Sequence, residues 1–313
     1  MNGAPPGARR FGARIVELLQ MIRFSHTIFA LPFSMLAAVM AWTAPTGTGG
    51  PAPFRWQHLL GILVCMVGAR SAAMAFNRLV DRRIDAENPR TSSRHLPAGR
   101  LSAGSVAAFT LLSAAVFFGG TLLFLPNRLP MLLSLPVLAF LLLYSFTKRF
   151  TVAAHFWLGA SLMLAPVSTW IALRGQYLEA DPTDLVPAAV LGAAVLLWVS
   201  GFDVIYACQD ADFDRRQRLK SIPAWLGVPG ALRLAAALHA LTVLVLAALP
   251  WVAPQLRLSW PFGCGVAVVA GLLIYEHRLV RPDDLTRVNV AFFHVNAVVS
   301  LGLFVVGTLD LLT

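Results

Sequence analysis

The chain of 313 residues has only fifteen Asp and Glu, and seven of them fall in two short segments. Asp81, Asp85 and Glu87 form the first; Asp203, Asp210, Asp212 and Asp214 form the second. The first reads Asn77-Arg-Leu-Val-Asp81-Arg-Arg-Ile-Asp85. Spacing of i, i+4, i+8 puts Asn77, Asp81 and Asp85 in one stripe along a helix. Asp203, Asp210 and Asp214 also share a face on an unbroken helix, because seven residues make nearly two turns, and Tyr206 precedes Asp210 by four on that face. Asp212 points about 200° away from Asp210 and is expected off the shared face.

Two facing stripes of carboxylates repel each other unless something positive lies between them. Hard oxygen ligands in twos and threes suit Mg²⁺, which binds through a few carboxylates and the phosphates of a substrate. Asn77, Asp81, Asp85, Asp210 and Asp214 are the candidate metal ligands. Arg70, Arg78, Arg94, Lys148 and Lys220 are the candidate partners of a diphosphate. Metal and basic side chains together stabilise that diphosphate as a leaving group, with Asp81 and Asp210 central to the chemistry.

The elements that must hold these groups are helices in a membrane. Hydrophobic residues make up 58% of the chain and charged residues 13%, whereas soluble domains average about 25% charged. That excludes a soluble globular enzyme and a disordered chain. Alternating short segments of a transmembrane barrel are absent. Apolar runs predict an all-α polytopic bundle of nine spans, near 26–44, 58–77, 103–125, 130–147, 152–173, 185–206, 230–250, 260–276 and 289–312. The whole chain, 1–313, reads as one domain. Residues 9–24 form an amphipathic helix lying on the membrane surface, and 26–312 form the bundle. No cleaved signal peptide is expected.

Basic residues orient the bundle. With the N-terminus inside, cytoplasmic segments hold 20 Lys and Arg and the opposite side holds 4, a strong positive-inside asymmetry. Both acidic segments then lie on the cytoplasmic side, and the C-terminus lies across the membrane. The net charge of +10 is read as this orientation signal and not as a nucleic-acid surface. Cys65, Cys208 and Cys264 are scattered in apolar runs and suggest neither a disulfide framework nor a zinc site. His26, His155, His239 and His294 lack metal spacing and read as packing residues. Asn289 and Asn296 share a face of the ninth span and are expected to hydrogen-bond between helices.

At the acidic residues the chain closely resembles the UbiA superfamily of intramembrane aromatic prenyltransferases. That family has nine helices and two aspartate-rich motifs, NxxxDxxxD and DxxxD, matched here by Asn77/Asp81/Asp85 and Asp210/Asp214. Arg70-Ser-Ala-Ala-Met-Ala-Phe-Asn77, Arg94-His-Leu-Pro97-Ala-Gly99, Tyr144-Ser-Phe-Thr-Lys148-Arg149 and Lys220-Ser221 are also family-like. The commonest family form has Asn-Asp where this chain has Asn77-Arg78. Arg23-Phe-Ser-His26-Thr-Ile-Phe-Ala-Leu-Pro32-Phe and the stretch Gly201 to Asp210 look like a bacterial branch of 4-hydroxybenzoate polyprenyltransferases, some associated with menaquinone synthesis. The resemblance implies Mg²⁺-dependent transfer of a polyprenyl group from its diphosphate to the ring of an aromatic acid, 4-hydroxybenzoate first, in quinone biosynthesis at the cell inner membrane. The tail would lie among the apolar spans, which keep water from the cation.

Arg23, Asp203 and Tyr206 are candidate acceptor-binding residues, with Arg23 equally placed to anchor at the interface. Tyr144 either faces the allylic cation or packs at the interface. Another aromatic acid of the futalosine menaquinone route is the alternative acceptor. A cation-coupled secondary transporter would place its acids near the bilayer midplane on broken helices, and here they cluster at span ends beside Lys and Arg. The single compact motif of a phosphatidyltransferase is missing.

Overall fold

A computed structural model describes residues 17–21, 29–46 and 50–313. Among them there is no strand, and helices account for the architecture. Nine lie in the order expected: α1 (Leu31–Thr43), α2 (Trp56–Glu87), α3 (Ala103–Thr121), α4 (Leu129–Thr147), α5 (Ala154–Leu178), α6 (Val186–Ala207), α7 (Ile222–Val252), α8 (Trp260–Leu279) and α9 (Val288–Leu312). Eight of the described helical segments are long and apolar enough to cross a bilayer, and α1 is a shorter apolar helix. Of four tryptophans expected in a belt at the water–lipid boundary, Trp56, Trp251 and Trp260 stand exposed at helix ends, whereas Trp42 is half-buried against Phe54.

Helix α6 is the centre of the bundle. Leu191, Val195, Trp198, Val199 and Phe202 on it are buried. In lipid, helices pack through small residues that let backbones approach. A Cβ at Gly159 of α5 would sit 2.4 Å from the Leu196 carbonyl oxygen, and one at Gly201 of α6 would sit 2.3 Å from the His239 ring of α7. Both glycines set close helix contacts beside the acidic residues.

At the end of the bundle far from those acids, Arg174 is fully buried. It donates to Asp184 and to the carbonyls of Ala41, Ala44 and Pro45 at 2.9 to 3.0 Å. It thereby satisfies the C-terminal carbonyls of α1, which have no partner within their own helix.

Of the surface helix expected over 9–24, only 17–21 is described, with Met21 buried against the bundle and Leu19 exposed; the rest lies outside the described residues. One further expectation differs from the structure. Asn289 and Asn296 do not share a face, because a π-turn over Ala291–Val295 adds a residue to the intervening turn. Asn289 is exposed and Asn296 fully buried.

Candidate active site

Helix α2 outruns the hydrocarbon. Its 32 residues span about 48 Å at 1.5 Å each, against a hydrocarbon core of about 30 Å. Its final turns reach the polar boundary and carry Asn77, Asp81 and Asp85. Asn77 Nδ2 donates to Asp81 Oδ2 at 2.9 Å, and Arg78 Nη1 donates to Asn77 Oδ1 at 3.3 Å. From the end of α4, Arg149 Nη2 donates to Asp81 Oδ1 at 3.1 Å.

Pro89 ends this helix. A residue before proline is pushed into extended backbone, and Asn88 adopts φ -90°, ψ 118°. The chain doubles back, so that residues 88–94 return over the carboxylates. Arg94 Nη1 donates to Asp85 Oδ1 at 2.6 Å. Arg90 meets Asp210 of the second motif edge to edge: Nε donates to Oδ1 at 2.8 Å, and Nη2 donates to Oδ2. Asn88 Nδ2 also donates to Asp210 Oδ1, at 3.1 Å. Arg90 Nη1 donates to the Tyr206 hydroxyl at 2.9 Å. Partial burial works against the Arg90 charge, but the bonds to Asp210 and Tyr206 outweigh it and hold the guanidinium above its usual value.

The second motif is not one unbroken helix. Helix α6 stops at Ala207, a 3₁₀ turn covers Cys208–Asp210, and a short helix runs over Ala211–Arg216. The tighter turn divides the face expected for Asp203, Asp210 and Asp214. Asp203 faces α5, where His155 Nδ1 lies 2.6 Å from its Oδ2. The other ring nitrogen of His155 accepts from the Ile222 N–H at 3.4 Å, so Nδ1 is the protonated nitrogen and donates to Asp203. Asp214 is buried, with Lys148 Nζ 4.0 Å away. Asp212 points outward, its side chain 84% exposed and paired with Arg215.

As the chain stands, each aspartate of the two motifs is met by a basic side chain. Among the described residues no three His, Cys, Asp or Glu side chains converge tightly enough to hold an ion. Even so, Asp85 Oδ2 and Asp214 Oδ2, one from each motif, are buried without a hydrogen-bond partner. An unsatisfied buried carboxylate oxygen is costly, and two of them flanked by Arg94 and Lys148 fit a hard cation brought in with phosphate oxygens.

The remaining expected residues are placed as follows. Lys220 is exposed, its backbone N–H bonded to the Lys148 carbonyl at 2.7 Å and its Nζ to the Phe150 carbonyl at 3.0 Å. It therefore ties two loops together instead of reaching the carboxylates. Arg70 and Tyr144 line a cavity of about 220 Å³ that begins beside Asn77 and passes between α2, α4 and α5 to Ile62, Phe124 and Ala172. Arg70 lies two turns deeper than Asn77, and among the described residues its buried Nε has no hydrogen-bond partner. Arg23 and His26 lie outside the described residues.

Arg90, Asn88, Arg149 and His155 were not expected at the site. The signal for the first two is Pro89: a stop just after the stripe turns the next basic residues back over it. His155 carries no such signal, since its partner is 48 positions away.

The profile of the UbiA prenyltransferase family matches residues 30–298. A 4-hydroxybenzoate octaprenyltransferase of Alcanivorax borkumensis is 32% identical over 91% of this chain and 93% of its own length. One from Chromohalobacter salexigens is 30% identical over 90% and 89%. Among solved structures, a UbiA homolog from Aeropyrum pernix superposes with a TM-score of 0.78 at 32% identity, covering 91% of this chain and 98% of that one. A UbiA homolog from Archaeoglobus fulgidus, bound to GPP and Mg²⁺, shares the fold with a TM-score of 0.64 at 16% identity, over 93% and 99%. A bundle of apolar helices, two acidic motifs meeting basic side chains at one end, and a match over most of the length lead to one conclusion: the chain belongs to the UbiA prenyltransferase family, as a multi-pass membrane prenyltransferase.

Proposed function

We propose that this enzyme transfers a polyprenyl group from its diphosphate to the ring of 4-hydroxybenzoate, in quinone biosynthesis, with Mg²⁺ as its metal. The observation that carries this reading is the continuity of the charged end with the apolar cavity: Asn77 and Tyr144 form its mouth, and Phe124 its floor. A substrate with a diphosphate head and a long hydrocarbon tail has that shape and that division of polarity. The octaprenyltransferase names of relatives at about 30% identity point to the same class.

Asp85 and Asp214 would hold the metal through their unsatisfied oxygens, with Asn77, Asp81 and Asp210 beside them. Mg²⁺ when bound neutralises diphosphate charge and promotes its departure. Arg90, Arg94, Arg78, Arg149 and Lys148 would bind the diphosphate oxygens; for Arg90, Arg94 and Arg149 this means exchanging a carboxylate for a phosphate. The cavity walls keep water from the allylic chain end. Arg70, within the apolar wall, suits the acceptor's carboxylate better than the diphosphate, because helical side chains lean toward the N-terminus and so away from Asn77. Asp203, steadied by His155, would face the phenol, while Tyr206 is taken up by Arg90 and Phe292. Asp203 would accept the phenol hydrogen bond, which raises electron density in the ring. The Lys and Arg asymmetry supports a charged end facing the cytoplasm across the cell inner membrane.

The test is direct. Purified enzyme with Mg²⁺, a labelled prenyl diphosphate and a panel of aromatic acids should yield prenylated 4-hydroxybenzoate, identified by mass. Turnover only with another acid would move the assignment to that acid, and none with any would overturn it.

A further inference from the structure

Behind Tyr206 lies a buried polar network that touches neither the cavity nor the acidic motifs. Asn296 of α9 is its hub and is fully buried. Its Oδ1 accepts from Trp198 Nε1 at 2.7 Å. Its Nδ2 donates to Glu276 Oε1 of α8 at 2.9 Å, and to the carbonyls of Ala291 and Phe292, both at 3.2 Å. Those carbonyls open the π-turn over Ala291–Val295. Single π-turns within α-helices are rare and recur at functional sites.

The side chain that this turn presents is Phe292. Its ring lies against Tyr206 with centroids 4.3 Å apart and planes inclined by 36°, and packs edge-on against Phe202 and Phe29 at 5.4 Å each. Tyr206 also meets Arg90: the hydroxyl accepts from Nη1 at 2.9 Å, and the guanidinium lies 5.2 Å from the ring centre. Tyr206 is thus in contact with both Phe292 and Arg90.

Glu276 is the unusual member. It is fully buried within a membrane-spanning helix, and among the described residues its Oε2 has no hydrogen-bond partner. His239 Nδ1 is 3.8 Å from that oxygen and 3.0 Å from His277 Nε2. Ionisable groups at such depth are expensive and are kept for a reason. The one hydrogen bond that Glu276 makes fixes the Asn296 amide. With Oε1 and Oδ1 both used as acceptors, the amide cannot flip without losing both bonds.

We infer that Asn296, oriented by Glu276, is a positioning residue for prenyl diphosphate binding: it fixes the π-turn so that Phe292 holds Tyr206, and through it Arg90, at the diphosphate end. This rests on the function proposed above. Neither residue touches substrate in this scheme. A lost network should therefore weaken diphosphate binding while leaving the acceptor side alone.

The experiment measures Kd for a non-reacting prenyl thiodiphosphate with Mg²⁺, by calorimetry on the purified full-length enzyme, so no acceptor is required. Steady-state KM values accompany it. Asn296→Leu should raise Kd about tenfold, a difference of about 1.4 kcal/mol, with the acceptor KM unchanged. Glu276→Gln keeps the accepting oxygen and should stay close to wild type. In an Arg90→Ala background, Asn296→Leu should add almost nothing, because residues acting through one another are non-additive. Phe292→Leu, which keeps the network and removes the ring contact, should repeat the Asn296→Leu pattern and decides the question if that variant fails to fold. Additive losses, an equal rise in the acceptor KM, or an inactive Glu276→Gln would overturn the inference. Failure of the wild type to bind the thiodiphosphate would overturn both this inference and the function beneath it. Binding without turnover on any aromatic acid would sink only the acceptor.

Discussion

Arg90 and Asp210 lie 120 positions apart and meet edge to edge, two guanidinium nitrogens on two carboxylate oxygens. This planar pairing joins the loop after α2 to the turn after α6, and so joins the two acidic motifs. Asp210 is 7% exposed, and the Arg90 side chain 31%. A hydrogen bond to a charged group is worth about 1.5–3 kcal/mol. Arg90→Ala should therefore lower kcat/KM for the prenyl diphosphate by roughly 10- to 100-fold. Arg90→Lys should recover little, because an ammonium cannot bridge both oxygens. Steady-state kinetics of the two variants check this, and full recovery with lysine would reduce the pairing to simple charge.

Asp212 and Asp214 provide a test of geometry against charge. Asp214 is buried beside Lys148 and has an unsatisfied oxygen; Asp212 is exposed beside Arg215. Changing either to Asn removes one negative charge. Generic electrostatics predicts equal damage, while the structure predicts that Asp214→Asn loses most turnover and Asp212→Asn keeps most of it. Rates at saturating Mg²⁺ decide between them. If Asp212→Asn is the more damaged, the metal face has been assigned to the wrong residue.

Arg174 has no part in the chemistry and should matter for folding. It is buried, and its partners are Asp184 and three carbonyls at the end of α1. Removing one member of a buried ion pair costs about 3–5 kcal/mol because the other charge is left uncompensated. Arg174→Leu should unfold in detergent well below the wild-type temperature, and Arg174→Lys should rescue little, since three carbonyls and a carboxylate need the full guanidinium fork. Wild-type melting of Arg174→Leu would rule out this tie.

The two acidic stripes and the nine apolar runs are legible because they are local signals: a run of apolar residues, or Asp at every fourth position, reports on itself. Asp212 stands exposed, as helix geometry expects, although the helix used in that reasoning ends at Ala207. That geometry was nevertheless incomplete, because no residue in Tyr206 to Asp210 announces the 3₁₀ turn that ends α6. The arginine pairings depend on where a loop lands, and only Pro89 hints at that. His155 and Asp203 meet because Gly159 lets α5 lie against α6, which is a contact and not a pattern. Likewise the π-turn before Asn296 is stabilised by Glu276 and Trp198, both distant in sequence, and nothing within Ala291–Val295 itself calls for an extra residue.

The cavity should limit the prenyl tail by its depth. From Asn77 to Ile62 on α2 is fifteen residues, about 22 Å. An extended carbon chain advances about 1.2 Å per bond, so an isoprene unit of four bonds takes about 5 Å and about four units reach the floor. The walls leave room because Ala69 and Ala73 of α2 face Ser161, Ala165 and Ser168 of α5 across the gap. Ala165 lies seven residues beyond Leu158 at the charged end, about 10 Å down, a depth that two units just occupy. Ala165→Phe should therefore leave kcat/KM for geranyl diphosphate within about twofold, the usual scatter of a neutral substitution. For tails of four units and more it should cut kcat/KM at least tenfold, about 1.4 kcal/mol. Geranyl diphosphate serves as the internal control for folding and chemistry. Equal loss on all tails would mean that the substitution damages the bundle. No loss on any would mean that the tail leaves the cavity above Ala165 and runs into lipid.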